Sequence, residues 1–369
     1  MQTQLKSQWS SIAENIVRHS LRIREDDVVV INSARHMLDL AEETAKQARL
    51  AGAETAITFW SEPLWYWSIE TLPITWLKAP NKVDLNLLDI PTVQISMTGT
   101  VDPTPLGRIS SERWAANAEG ADPSLRKAIE RKMRTANLNL GYVTPQRAEV
   151  YGFHFNEWKQ NVQDSLATDF TSMQSTGKKL ANLMNKSTAK VQVTSENGTN
   201  ISFQLAGRKC KCDDGVLDEE DLASGTYETN LPAGHLRAVP DEESANGKVT
   251  FDLPVLFAGK RIKNLTWTLE NGNLTEFSAS ENAEMILDLW KESTGDKSRF
   301  GWFGLGFNPD TKTGFMNDPN VSGAVSLGIG ENTDLDGKNK STFGLQGTIS
   351  KSTVTIDGKV IVRDGKITT

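Results

Sequence analysis

The hydrophobic pattern changes its period partway along the chain, and that change constrains the fold more than any single motif. Before about residue 187 the rhythm is strand, helix, strand. The apolar run Val28-Val29-Val30-Ile31 reads as a strand buried on both faces. Residues 37–51 (MLDLAEETAKQARLA) read as a helix stopped by Gly52, and 55–60 as the next strand. A helix between two such strands implies parallel pairing through a right-handed crossover. Ile12, Ile16 and Val17 place an amphipathic helix ahead of them, 83–88 and 93–97 read as later strands, and 123–135 reads as a basic, solvated helix. A long helical stretch spans 156–185. Beyond it the strands become short and alternating. Residues 191–193 and 201–203 flank Glu196-Asn197-Gly198-Thr199, a hairpin signal. Strands at 250–253, 265–269 and 354–356, tight turns at Asn271-Gly272 and Asp357-Gly358, and a helix at 281–292 continue the pattern. The expected architecture is α/β: a parallel-sheet domain over 1–186 and an α+β domain over 187–369.

Several function classes are disfavoured at once. A length of 369 residues suits two domains. A net charge of -7 with no basic stripe argues against nucleic acid or an anionic membrane surface as partner. No apolar run approaches the roughly 18–20 residues that span a bilayer. The polar, amphipathic start is unlike a secretory signal. Only two cysteines are present, Cys210 and Cys212, so no disulfide framework is expected and a reducing, cytoplasmic setting fits. With one residue between them they do not make a zinc motif. They read as two strand residues on one face, with a reactive thiol beside Lys209 and Lys211 as the lesser alternative. Asn32-Ser33-Ala34-Arg35-His36 follows a strand but lacks the glycines of a dinucleotide loop. No phosphate loop, nucleophile elbow or Cys–His dyad is visible. No cofactor is expected.

Three segments of the second half carry the chemistry. The first is Thr229-Asn230-Leu231-Pro232-Ala233-Gly234-His235-Leu236-Arg237, preceded by Asp214-Gly215-Val216-Leu217. The second is Gly301-Trp302-Phe303-Gly304-Leu305-Gly306-Phe307-Asn308-Pro309. The third is Val325-Ser326-Leu327-Gly328-Ile329-Gly330-Glu331-Asn332, continuing to Thr342-Phe343-Gly344-Leu345-Gln346-Gly347. In order and spacing these segments resemble the aminopeptidase T family of metallo-aminopeptidases, clearly over 140–369 and more vaguely before. The resemblance implies a Rossmann-like N-terminal part, a C-terminal part with a two-metal site, and a homodimer around an enclosed cavity that takes a small-molecule ligand.

The ligand positions depart from that family. His235 stands where the family has a glutamate, Trp302 replaces another, and Ser326 replaces a histidine. Gly344 and Gln346 replace a histidine–x–aspartate pair, which the related iron-dependent dihydroxypyridine dioxygenases also use. One usable ligand remains of five, so no metal site of this type is expected. A site rebuilt elsewhere would have to draw on Glu228, Glu281, Glu284, Asp310, Glu331 or Asp334. His235 reads as an acid–base group or as a hydrogen-bonded histidine in a retained turn. Trp302 reads as core packing or as a wall for a substrate, with Ser326, Gly344 and Gln346 as neutral binding positions. The five should meet in one pocket. Trp60, Trp65, Trp67 and Trp76 read as core or dimer interface. The expected function is metal-independent action on a small polar or aromatic substrate. The alternatives are a non-catalytic binding or assembly protein, and an aminopeptidase with atypical ligands.

Overall fold

In a computed structural model of the protein, residues 9–185 and 188–368 are described. The 186/187 boundary lies outside them. The chain falls into two compact units, each built from two stretches: 1–170 with 215–232, and 171–214 with 233–369.

The first unit is a parallel sheet with helical crossovers. Its strands are β1 (Val28–Ser33), β2 (Glu54–Phe59), β3 (Val93–Met97) and β4 (Arg134–Leu138), joined by Glu228–Leu231 from the returning stretch. The order is β2-β1-β3-β4 and then 228–231, all parallel. The helix Leu38–Leu50 makes the first crossover, and the chain turns behind it at Gly52, φ +94°, a conformation that favours glycine. One expectation fails here. Residues 83–88 are not a strand; Lys82–Leu87 is a helix. Asn81 caps it, its side-chain oxygen accepting from the Val83 and Asp84 N–H groups at 3.0 and 3.4 Å. That local cap outweighs the alternating apolar pattern. The basic helix also begins earlier than its composition suggests, at Ser111, and runs to Glu130.

The long helical stretch is two helices, Phe155–Leu166 and Phe170–Met184. Asp169, a residue type that favours the N-cap, stands directly before the second.

The second unit is a sandwich of two antiparallel sheets. One has eight strands, and the hairpin of Lys190–Thr194 with Asn200–Gln204 lies at its centre. The other has five: Gly344–Ile349, Val325–Gly330, Phe300–Gly306, His235–Ala238 and Lys211–Asp213, in that order. Fully buried Phe203 from the eight-stranded sheet meets Phe300 and Phe303 at ring-centroid distances of 5.1 and 5.3 Å. Phe251 stacks edge-on against Trp267 at 4.6 Å and lies against Gly347. One face of the five-stranded sheet therefore belongs to the core. No helix among the described residues is long and apolar enough to cross a membrane.

Candidate functional site

The other face of the five-stranded sheet carries the five former ligand positions. Backbone register fixes this. Gly306 pairs with His235, Gly304 with both Arg237 and Ser326, Trp302 with Gly328, Gly328 with Gln346, Gly330 with Gly344, and Ser326 with Thr348. Opposed residues share a face, and side chains alternate along a strand. His235, Trp302, Ser326, Gly344 and Gln346 thus lie on one side, opposite the face that meets Phe203 and Phe251.

Within that face two groups pack together. The His235 and Trp302 rings meet edge to face, centroids 5.9 Å apart and planes at 72°. Glycines on the neighbouring strands seat them. A Cβ at Gly304 would stand 2.5 Å from His235 Nε2, and one at Gly328 would stand 2.2 Å from Trp302 Nε1. Trp302 is buried with Val239 and Leu335 in a small apolar cluster. Ser326 is fully buried, and its hydroxyl exchanges a hydrogen bond with Thr348 Oγ1 at 3.0 Å. Gly344 and Gln346 lie at the exposed edge strand.

The motif residues around them are structural ties. Asn308 Nδ2 donates to the Ala233 carbonyl at 2.9 Å, and the Phe307 N–H donates to the Gly234 carbonyl at 2.7 Å, which joins the first segment to the second. Asn332 Nδ2 donates to the Gly301 carbonyl at 2.9 Å, and its Oδ1 accepts from the Asn339 N–H at 2.8 Å. The loop held this way brings Leu335 onto Trp302.

Electrostatics separate the face from an acid–base centre. His235 Nε2 is enclosed and has no hydrogen-bond partner among the described residues. That burial, with the nearby Arg237 cation, holds the imidazole down to about 3, although the residue keeps a partly exposed edge. At neutral pH it carries no charge. The reading of the sequence missed Arg237. It lies two residues beyond His235 and so on the same face, a period-two signal that was available. Its guanidinium stands 5.8 Å from the Trp302 ring centroid and pairs with Asp334 at 3.5 Å. Asp318 was missed as well. Burial pushes its carboxyl up to about 7, although Oδ1 accepts from the Gly314 and Phe315 N–H groups at 2.7 and 3.1 Å. The cysteine expectation is corrected: Cys212 lies in the strand Lys211–Asp213 but Cys210 precedes it, and burial raises the Cys210 thiol to about 11 despite Lys209.

These donors do not fit a two-metal centre, which needs anionic carboxylates and imidazole nitrogens aimed at the ions. Gly344 has no side chain, Trp302 offers only an indole N–H, the Ser326 hydroxyl is engaged, and His235 Nε2 faces Gly304. Among the described residues no three His, Cys, Asp or Glu side chains group to hold a metal ion.

The model of the thermophilic metalloprotease (M29) family matches residues 5–311. The third segment lies beyond that match. Aminopeptidase AmpS of Bacillus subtilis (strain 168) is 20% identical over 311 residues, which cover 78% of this chain and 74% of that protein. Among solved structures, wild-type AmpT from Thermus thermophilus superposes with a TM-score of 0.77 at 17% identity, covering 99% of this chain and all of that one. The 2,5-dihydroxypyridine dioxygenase of Pseudomonas putida KT2440 superposes at 0.63 and 15% identity, covering 99% and 98%. These superpositions establish a shared fold.

Proposed function

Because this chain belongs to the thermophilic metalloprotease (M29) family, we propose that it keeps the family scaffold but works without the family's metals. Its former ligand face binds a small polar or aromatic molecule. The observation that carries this reading is the ring-to-ring packing of His235 and Trp302 on glycine seats at two of the five positions. At these two positions the rings pack on each other and against Gly304 and Gly328. What stays accessible is a half-buried guanidinium, Arg237, and the edge strand with Gln346. Such a border suits an uncharged or anionic ligand. A neutral imidazole with an enclosed Nε2 is a poor proton carrier, so binding is better supported than acid–base catalysis by His235. A cytoplasmic setting is consistent with the cysteine usage.

The expected outcome of an assay with leucine-type aminopeptidase substrates is no turnover above background, with or without added cobalt or zinc. Activity that copurifies with the chain and vanishes on chelation would contradict the proposal. Mass spectrometry of small molecules carried through purification is expected to find a ligand whose retention falls in Arg237→Ala. Unchanged retention in that variant would place the ligand elsewhere.

A further inference from the structure

The ligand face continues past Arg237 onto the edge strand of the same sheet. Lys211–Asp213 pairs antiparallel with His235–Ala238, and the register sets Lys211 opposite Arg237 and Asp213 opposite His235. Directly opposed residues share a face, with Cβ atoms about 5 Å apart. One row across the sheet is therefore Lys211, Arg237, Gly304, Ser326 and Thr348. The hydrogen bond between Ser326 and Thr348 closes its inner end. Its outer end holds two cations side by side, an arrangement that costs stability unless a counter-charge joins them.

The chain itself supplies little counter-charge there. Lys211 is exposed and forms no ion pair among the described residues. Arg237 has one side-chain acceptor, Asp334 Oδ2, at 3.5 Å from Nη1. A well-formed charge-assisted hydrogen bond is about 2.7–2.9 Å. The Asp334 side chain is also 57% exposed, so the pair is weak and readily exchanged. The Trp302 ring, 5.8 Å away at its centroid, holds the guanidinium by its face and leaves most of its five N–H donors unused. A planar fork fixed in this way suits an oxyanion, to which it donates two parallel hydrogen bonds.

We propose, on the reading of this face as a binding surface, that Lys211 and Arg237 clamp an anionic group of the bound molecule, a carboxylate or a phosphate. Asp334 holds the place of that group when the face is empty. The ligand class is thereby narrowed from polar or aromatic to anionic. Asp334 is a specificity-determining residue, because its carboxylate competes with the ligand for Arg237.

Calorimetric titration of the full chain is expected to show one site for inorganic phosphate or for benzoate, and none for benzyl alcohol as the neutral control. Whichever anion binds identifies the group. Lys211→Ala should weaken that binding about tenfold. Asp334→Asn should tighten it about two- to fivefold by removing the competitor. Asp336→Asn, which neutralises an exposed acid of the same loop, should leave the affinity unchanged. Failure of both anions to bind overturns the clamp, as does an affinity that Lys211→Ala and Asp334→Asn leave at the wild-type value. A neutral molecule that copurifies with the chain and is retained equally in Lys211→Ala also overturns the clamp, while the binding face stands. A stoichiometric, stabilising metal would bring down the binding face itself and the clamp with it.

Discussion

Trp302→Ala is expected to lower the stability of the chain by about 3–5 kcal/mol, the range for truncating a large buried aromatic side chain. The indole fills space among Val239, Leu335, the His235 ring and the Gly328 backbone. Polar ties hold the loop that carries Leu335, so the surroundings have little freedom to collapse into the gap. Gly328→Ala tests the same contact from the other side. Its new methyl would fall 2.2 Å from Trp302 Nε1 and should cost about 1–3 kcal/mol by overpacking. The double variant should lose less than the sum of the two, because the methyl then enters vacated space. Denaturant unfolding of the four proteins closes the cycle. A Trp302→Ala variant within 1 kcal/mol of the wild type would mean that the indole is an open wall rather than packing.

Stability should also carry two opposite pH slopes from two buried groups. An unfolded histidine takes up a proton below about 6.5, whereas folded His235 refuses it until about 3. Its contribution is therefore present above pH 6.5 and is lost as the pH falls towards 3, at up to about 1.4 kcal/mol per pH unit. Asp318 runs the other way. Its folded carboxyl keeps a proton to about 7, and the unfolded one releases it near 3.8. That contribution is full below pH 3.8 and is lost as the pH rises through 7. Between about 4 and 6.5 the slopes offset each other. His235→Gln should flatten the acid limb of a plot of melting temperature against pH. Asp318→Asn, which keeps an acceptor for Gly314 and Phe315, should raise the melting temperature most above pH 7, through a penalty on the order of a few kcal/mol. Wild-type slopes in both variants would show that neither group is held as described.

Much of the fold was legible because the two periods of the chain differ. A continuous β-branched run gave β1, and Asn-Gly and Asp-Gly pairs gave the turns at 271–272 and 357–358, where both residues take positive φ. Residues 83–88 were misread because VDLNLL alternates like a strand, and only the Asn81 cap shows otherwise. The return of 228–231 to the parallel sheet left no local signature, since that pairing with β4 spans more than ninety residues. At the site, the grouping of the five positions was expected from the family resemblance alone, and the state of the face was not legible at all. Whether His235 meets water or the Cα of Gly304 depends on register with a strand some seventy residues away. Asp318 is perturbed by burial and by Asp252 and Arg261, which are more than fifty residues away in sequence.

Membership of a metalloprotease family gives the prior expectation of a metal centre, and the donor set on the five-stranded sheet opposes it. Elemental analysis of the purified chain, paired with melting before and after a chelator, bears on that conflict most directly. We expect well under one equivalent of zinc, iron, manganese or cobalt per chain and an unchanged melting temperature. A stoichiometric metal whose removal lowers the melting temperature, as mass action requires of an ion bound only to the folded state, would contradict the loss of the metal site.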